Sequence, residues 1–289
     1  MKHRSTVLLC SLTALSSCTP YSPSTQWQSK VIKATDQSFK KYTNTSPSLP
    51  EPLSDGKIPT LNQTGFMTPD RDTLSDDFIR YAAELGSQGV PVVDIGSAYG
   101  VIALPALEQG AVVIANDLDE RHLLILRERV PKKYWDHLYL NSGALQTLDF
   151  PEQSIGAVLL RRVVHFFTPE ELETSIDKIY TWLKPGGRVF IITMSPFHYS
   201  LKNFAPLYEK RWAEGSAWPG EIFDMKSYVP NLAKDIPDYL HVMDERPFKK
   251  ALEKRGFIIE KAYLYGYSRP NRKADDTNGY CAIQAMKPY

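Results

Sequence analysis

The hydrophobic pattern changes period along the chain, and the changes become regular only after Phe66. Apolar residues at Phe78, Ile79, Ala82, Ala83 and Leu85 form one stripe of a helix over 75–85, with Asp76 and Asp77 in its first turn. Val90-Pro91-Val92-Val93-Asp94-Ile95 is instead almost continuously apolar, as in a strand buried on both faces. A glycine-containing loop, Gly96 to Gly100, leads into an apolar helix over 101–109 that Gly110 closes. The alternation continues with a strand over 111–115, a helix over 120–130, strands over 138–140 and 155–160, and a helix over 169–183. The turn Lys184-Pro185-Gly186-Gly187 then enters a strand over 188–193. Strands that alternate with helices predict an α/β doubly wound fold, a mostly parallel sheet covered on both faces. A helix over 244–255 and two strands, 257–267 and 279–286, end the chain; joined by a polar loop, consecutive strands pair antiparallel at a sheet edge.

Three stretches break this rhythm. Residues 195–242 hold nine aromatics among 48 residues, a density above the chain's 11%, and read as a packed cap inserted over the carboxyl edge of the sheet. In one reading Tyr208, Trp212 and Trp218 shape an apolar or planar substrate pocket; in the other the cap's aromatics form its own core. Between residues 19 and 60, 19 of 42 residues are Ser, Thr or Pro, which reads as a tether that buries too little to fold alone. Residues 1–18 run from Lys2-His3-Arg4 through an apolar stretch to Leu15-Ser16-Ser17-Cys18, which resembles the lipobox of bacterial lipoproteins. That resemblance implies a lipidated Cys18 and a membrane tether. An unstructured leader, or a start codon placed too early, is the other reading, with a cytoplasmic enzyme. The domain proper then covers 61–289.

Charge narrows the partners. Thirty-four Lys and Arg against 33 Asp and Glu leave a formal charge of +1, so no chain-wide field attracts nucleic acid. Cys10, Cys18 and Cys281 lie far apart, and the six histidines show no zinc spacing, so neither a disulfide scaffold nor a metal is implied.

A glycine loop between a strand and a helix lets backbone approach a ligand closely, and an acid ending the next strand accepts from ribose hydroxyls. Dinucleotide enzymes place G-x-G-x-x-G directly after the strand. Here the order is Asp94-Ile95-Gly96-Ser97-Ala98-Tyr99-Gly100, which rejects that fingerprint, and no G-K-[ST] marks a phosphate loop. This loop, together with Asp117, resembles the class I S-adenosylmethionine-dependent methyltransferases, in particular the small-molecule type. So do Asp149-Phe150-Pro151-Glu152-Gln153-Ser154 before one strand and Leu183-Lys184-Pro185-Gly186-Gly187 before the next. The likeness runs from about residue 70 to residue 289.

The resemblance implies a Rossmann-like sheet with an antiparallel edge strand and S-adenosylmethionine as cofactor, held by Asp94, Gly96, Ala98, Gly100, Asp117 and Leu145. Two positions depart from it. The middle glycine of the loop is Ala98, and the acid that the family offers to the adenine amine is Ala144, with Gln146 or a backbone carbonyl as substitutes. Arg161 and His165 follow the strand over 155–160, where doubly wound sheets place substrate. His165 is a candidate general base or a histidine packed on Phe166 and Phe167. Tyr99 either walls the methionine part of the cofactor or packs beneath the following helix. The implied function is methyl transfer to a small molecule or lipid, because Leu160-Arg161-Arg162-Val163 stands where adenine-modifying DNA enzymes carry N-P-P-Y. The rival is a surface-anchored binding protein that keeps the fold without turnover.

Overall fold

The computed structural model describes residues 25–36, 47–230, 236–266 and 277–289. The leader over 1–18 with Cys18, part of the tether and most of the polar loop over 268–278 lie outside the described residues. Three two-residue strands come first, β1 (Ile32–Lys33), β2 (Ile58–Pro59) and β3 (Phe66–Met67). The alternating core follows: α1 (Thr73–Gly86), β4 (Pro91–Ile95), α2 (Ala103–Glu108), β5 (Val112–Asp117), α3 (Glu120–Arg129), β6 (Leu138–Ser142), β7 (Ile155–Arg161), α4 (Pro169–Trp182) and β8 (Leu183–Met194). The inserted cap contains α5 (Ala205–Ala213), β9 (Glu221–Ile222), α6 (Met225–Tyr228) and β10 (Leu240–His241), and α7 (Glu245–Arg255), β11 (Ile258–Tyr265) and β12 (Tyr280–Met286) close the chain.

The main sheet has the order β1-β6-β5-β4-β7-β8-β12-β11. From β6 to β8 it is parallel, and β12 runs antiparallel between β8 and the outermost strand β11. Its parallel strands are buried on both sides because alternate residues serve different layers. In β7, Val158 and Leu160 join one core cluster with α4 and α7, while Ala157 and Leu159 join the other with α1, α2 and α3. Caps fix the helix starts. Asp72 accepts from Ser75 N ahead of α1, and Thr168 with Glu171 forms a capping box ahead of α4.

Two expectations change. The tether is not free throughout: residues 25–36 dock on the far edge of the sheet, where β1 pairs antiparallel with β6. Trp27 is 3% exposed and meets Tyr139 edge-on at 4.8 Å, while Arg127, buried under the Trp135 ring, donates to Ala34 O at 2.7 Å. These few apolar contacts suffice because the rest of the chain supplies the partner surface. The turn at Lys184–Gly187 is also absorbed into one long β8. Gly186, at φ +76°, bends the strand while its N–H still donates to Lys287 O at 2.8 Å.

Candidate functional site

The carboxyl ends of β4, β5, β6 and β7 open on one cavity of about 350 Å³. Strand β4 delivers Asp94, then the loop turns sharply: Gly96 sits at φ +67°, and a Cβ there would meet Val163 at 3.2 Å. Ala98 holds a left-handed φ of 44°, a conformation that its methyl group makes costly, which accords with a glycine at this place in the related pattern. Ala98 N–H donates to Asp117 Oδ2 at 2.8 Å, so the end of β5 pins the loop.

Asp94 is 2% exposed, and its Oδ2 has no hydrogen-bond partner. Burial pushes its pKa up to about 7; Arg161 and the Ala103 N–H pull it down, and the Asp117 charge pushes it further up. Asp117 is also buried, and three donors reach it. Besides Ala98, Asp119 N–H donates to Oδ1 at 3.0 Å and His122 Nδ1 lies 2.9 Å from the same oxygen. His122 Nε2 accepts from Leu61 N–H at 3.0 Å, which fixes the tautomer: Nδ1 carries the proton and donates to Asp117. Three of the roughly four acceptor positions of Asp117 are thereby used, and about one remains for a ligand hydroxyl. Leu118, 66% exposed, stands at the same rim. Asn116 donates to Gly143 O at 2.9 Å and Asn141 O at 3.0 Å, which holds the loop of Ala144, Leu145 and Gln146 against the cavity.

The other end of the cavity is mostly apolar, with Met67, Phe166, Met194, Met225 and Leu240 in its wall. Arg161, Arg162 and His165 are its polar members after β7. Arg161 pairs with Asp72 at 3.5 Å and donates to Ser75 Oγ at 3.2 Å. His165 Nδ1 lies 3.4 Å from Thr193 Oγ1, and its ring is 4.2 Å from that of Phe166. Burial, with Arg162 nearby, lowers its pKa to about 3, so it is neutral.

Not every residue read from sequence reaches this cavity. Asp94, Gly96, Ala98, Asp117, Leu145, Arg161 and His165 line it. Gly100 does not: at φ +85° its bare Cα faces Leu126, which a Cβ would meet at 2.9 Å, so its task is packing against α3. Tyr99 packs under the loop against Ile58, Met67 and Ile125, and its hydroxyl donates to Pro59 O at 2.8 Å. Three of the cap aromatics also lie away from the cavity. Tyr208 is fully buried with its hydroxyl accepting from Asp244 N–H, Trp212 lies under Arg246 and Lys250, and Trp218 packs on His241 and Phe248 while donating to Glu173. None of these three lines the cavity, and their contacts are those of the structural reading.

Sequence reading missed His122, Asn116 and the roof formed by residues 57–68. This segment brings Thr60, Asn62, Phe66 and Met67 over the cavity and is held by Arg121 donating to Leu61 O at 2.9 Å. Strands of two residues carry no readable period. Only the pairing of Ile58-Pro59 with Phe66-Met67 across a glycine hinted at a hairpin.

Residues 92–187 match a family model described as a methyltransferase domain. An uncharacterized protein of Mycobacterium tuberculosis is 26% identical over 155 residues, covering 53% of this chain and 55% of that protein. A ubiquinone biosynthesis O-methyltransferase of Dinoroseobacter shibae is 23% identical over 174 residues, covering 60% and 64%. The chain thus spans between half and two thirds of the curated relatives it matches. Among solved structures, an S-adenosylmethionine-dependent methyltransferase from Mesorhizobium loti superposes with a TM-score of 0.51 at 20% identity, covering 72% of this chain and 99% of that one. One from Methanosarcina mazei gives 0.53 at 17%, covering 68% and 92%. At these identities the likeness establishes the fold.

Proposed function

On the premise that the chain carries a class I, Rossmann-like S-adenosylmethionine-dependent methyltransferase domain, we propose that it moves a methyl group from S-adenosylmethionine to a small-molecule or lipid acceptor. The observation that carries this reading is the buried, unpartnered Oδ2 of Asp94 beside the glycine loop, in one cavity with Asp117. An anion left without a donor at that depth is costly unless a ligand supplies one, and the ammonium of the methionine moiety does so. The remaining acceptor position of Asp117 suits a ribose hydroxyl, and exposed Leu118 suits the face of the adenine. Where the family offers an acid to the adenine amine, this chain has Ala144, and Gln146 takes that place. Its Nε2 donates to Ser175 Oγ at 3.4 Å, which leaves its amide oxygen to accept from the amine.

When bound, S-adenosylmethionine supplies an electrophilic methyl group on a sulfonium. What the chain contributes is placement. Asp94, the glycine loop and Asp117 hold one reactant, while the apolar end, roofed by residues 57–68, holds the other and excludes water. His165 is neutral with a pKa of about 3, so it orients an acceptor O–H or N–H through a hydrogen bond and retains little affinity for the proton. A small or lipid acceptor is supported by the largely apolar wall and by the formal charge of +1.

Calorimetric titration of the full chain with S-adenosylmethionine tests the reading. The wild type should bind, and Asp117→Ala should weaken binding by at least roughly tenfold, since it removes a ribose contact and the anchor of Ala98. Equal affinity in Asp117→Ala and Asp94→Asn would refute it.

A further inference from the structure

His122, in the first turn of α3, uses both of its ring nitrogens, and each serves a different part of the molecule. Nδ1 donates to Asp117 Oδ1 at 2.9 Å, and Nε2 accepts from Leu61 N–H at 3.0 Å. The residue is 1% exposed, and Tyr99, whose hydroxyl donates to Pro59 O, meets its ring edge-on at 5.0 Å. A carboxylate at the end of β5 and a backbone amide of the roof are thus joined through one rigid ring.

The two bonds stand or fall together. Turning the imidazole by half about its Cβ–Cγ bond puts Cδ2 toward Asp117 and Cε1 toward Leu61, and both bonds are lost at once. Moving the proton to Nε2 does the same, because a lone pair then faces the carboxylate and an N–H faces the Leu61 N–H. One orientation and one tautomer satisfy both partners, which is the kind of two-state element that coupling between sites requires. Packing alone asks for less: an apolar side chain would fill this place in α3, as Leu123 and Leu126 do beside it. Both ends of the link reach the cavity. Asp117 lines it from below, and Thr60 and Asn62, the neighbours of Leu61, line it from the roof. Asp117 keeps about one acceptor position, so a ligand hydroxyl placed there fixes the same carboxylate that orients the ring.

We propose that His122 is a positioning residue that couples the ribose site to the roof. A ribose hydroxyl on Asp117 settles the carboxylate, the carboxylate holds the ring, and the ring holds Leu61 closed over the ligand. This deepens the methyl-transfer reading and rests on it for the ribose-bearing ligand. By linkage the coupling runs both ways, so a roof held at Leu61 also tightens the ribose contact. His122 takes no part in the group transfer and acts only through its two partners.

Amide exchange across 58–67 in the full chain reads the link, with two ligands compared at equal occupancy as set by calorimetry. One is S-adenosylhomocysteine, and the other is its analogue lacking both ribose hydroxyls. The adenine and amino-acid parts are the same in both, so any contact of those parts with the roof is shared. S-adenosylhomocysteine should slow exchange at Leu61 at least roughly fivefold more than the analogue. His122→Asn keeps a donor toward Asp117 and falls short of Leu61, whereas His122→Gln keeps an acceptor for Leu61 and gives up Asp117. In each variant the difference between the two ligands should vanish. A histidine that only filled space would change exchange alike with either ligand. Equal slowing by both ligands in the wild type overturns the coupling, and that comparison needs no variant to fold. A difference that survives in either variant overturns it too, and assigns the effect to direct contact of the ribose with the roof. A wild-type chain that binds neither ligand overturns the methyl-transfer reading and the coupling with it, whereas one that binds both without a difference overturns the coupling alone.

Discussion

Asp94 combines a buried carboxyl, a pKa near 7 and an oxygen without a partner, and these three facts have one thermodynamic consequence. The folded-state value lies above the ordinary 3.8, so between about pH 3.8 and 7 the folded chain keeps a proton that the unfolded chain has lost. Stability in the absence of ligand therefore falls as pH rises through that window, by an amount on the order of a few kcal/mol, and levels off above it. Asp94→Asn should flatten this part of the Tm-against-pH curve and raise Tm at pH 8. An ammonium bound beside Asp94 draws the pKa down, so S-adenosylmethionine binding near pH 7 should release a proton. The binding enthalpy should then depend on the ionisation enthalpy of the buffer in the wild type and lose most of that dependence in Asp94→Asn. A buffer-independent wild-type enthalpy would remove Asp94 from the ammonium site.

At the level of elements, the cap shows how a correct composition argument misassigns residues. Its density of aromatics rightly indicated a packed unit, and Leu201, Phe204, Tyr208, Met225, Leu240 and Val242 do form a core of their own. Which aromatics face the cavity depends on how the cap sits on α7, and α7 covers Trp212 and Trp218 with Arg246, Lys250 and Phe248. Trp218→Ala should accordingly lower stability by about 2–4 kcal/mol, read as a fall in Tm, and leave acceptor affinity near the wild-type value. A selective loss of acceptor affinity would restore the pocket assignment. The sheet was more legible. Continuous apolar runs such as Val92-Val93 and Ile191-Ile192 announce strands buried on both faces, and the Asp94-to-Gly100 register announces the loop from β4 into α2. Strand β1 was not, because two residues carry no period and their partner, β6, lies about a hundred positions away. His122 was equally silent, since a histidine on an apolar helix reads as core until Leu61 is seen at its Nε2.

Across the whole molecule, the two ends of the cavity share one roof, and that roof belongs to a segment upstream of the α/β core. It is held by Tyr99 donating to Pro59, by Arg121 donating to Leu61 O and by Leu61 N–H on His122. Tyr99→Phe removes one of these at a cost of about 1 kcal/mol, so amide exchange across 58–67 should quicken several-fold with little change in Tm. Unchanged exchange would mean that packing of Ile58 and Met67 alone secures the segment. The same arrangement imposes an order on biosynthesis. Leu61 leaves the ribosome well before His122, 61 residues later, and Ala34 well before Arg127, 93 residues later. Neither the roof nor the edge strand has anything to fold against until α3 and β6 exist, so the earliest synthesised segments are among the last to settle, and the growing chain holds an open cleft that closes only when the core behind it is complete.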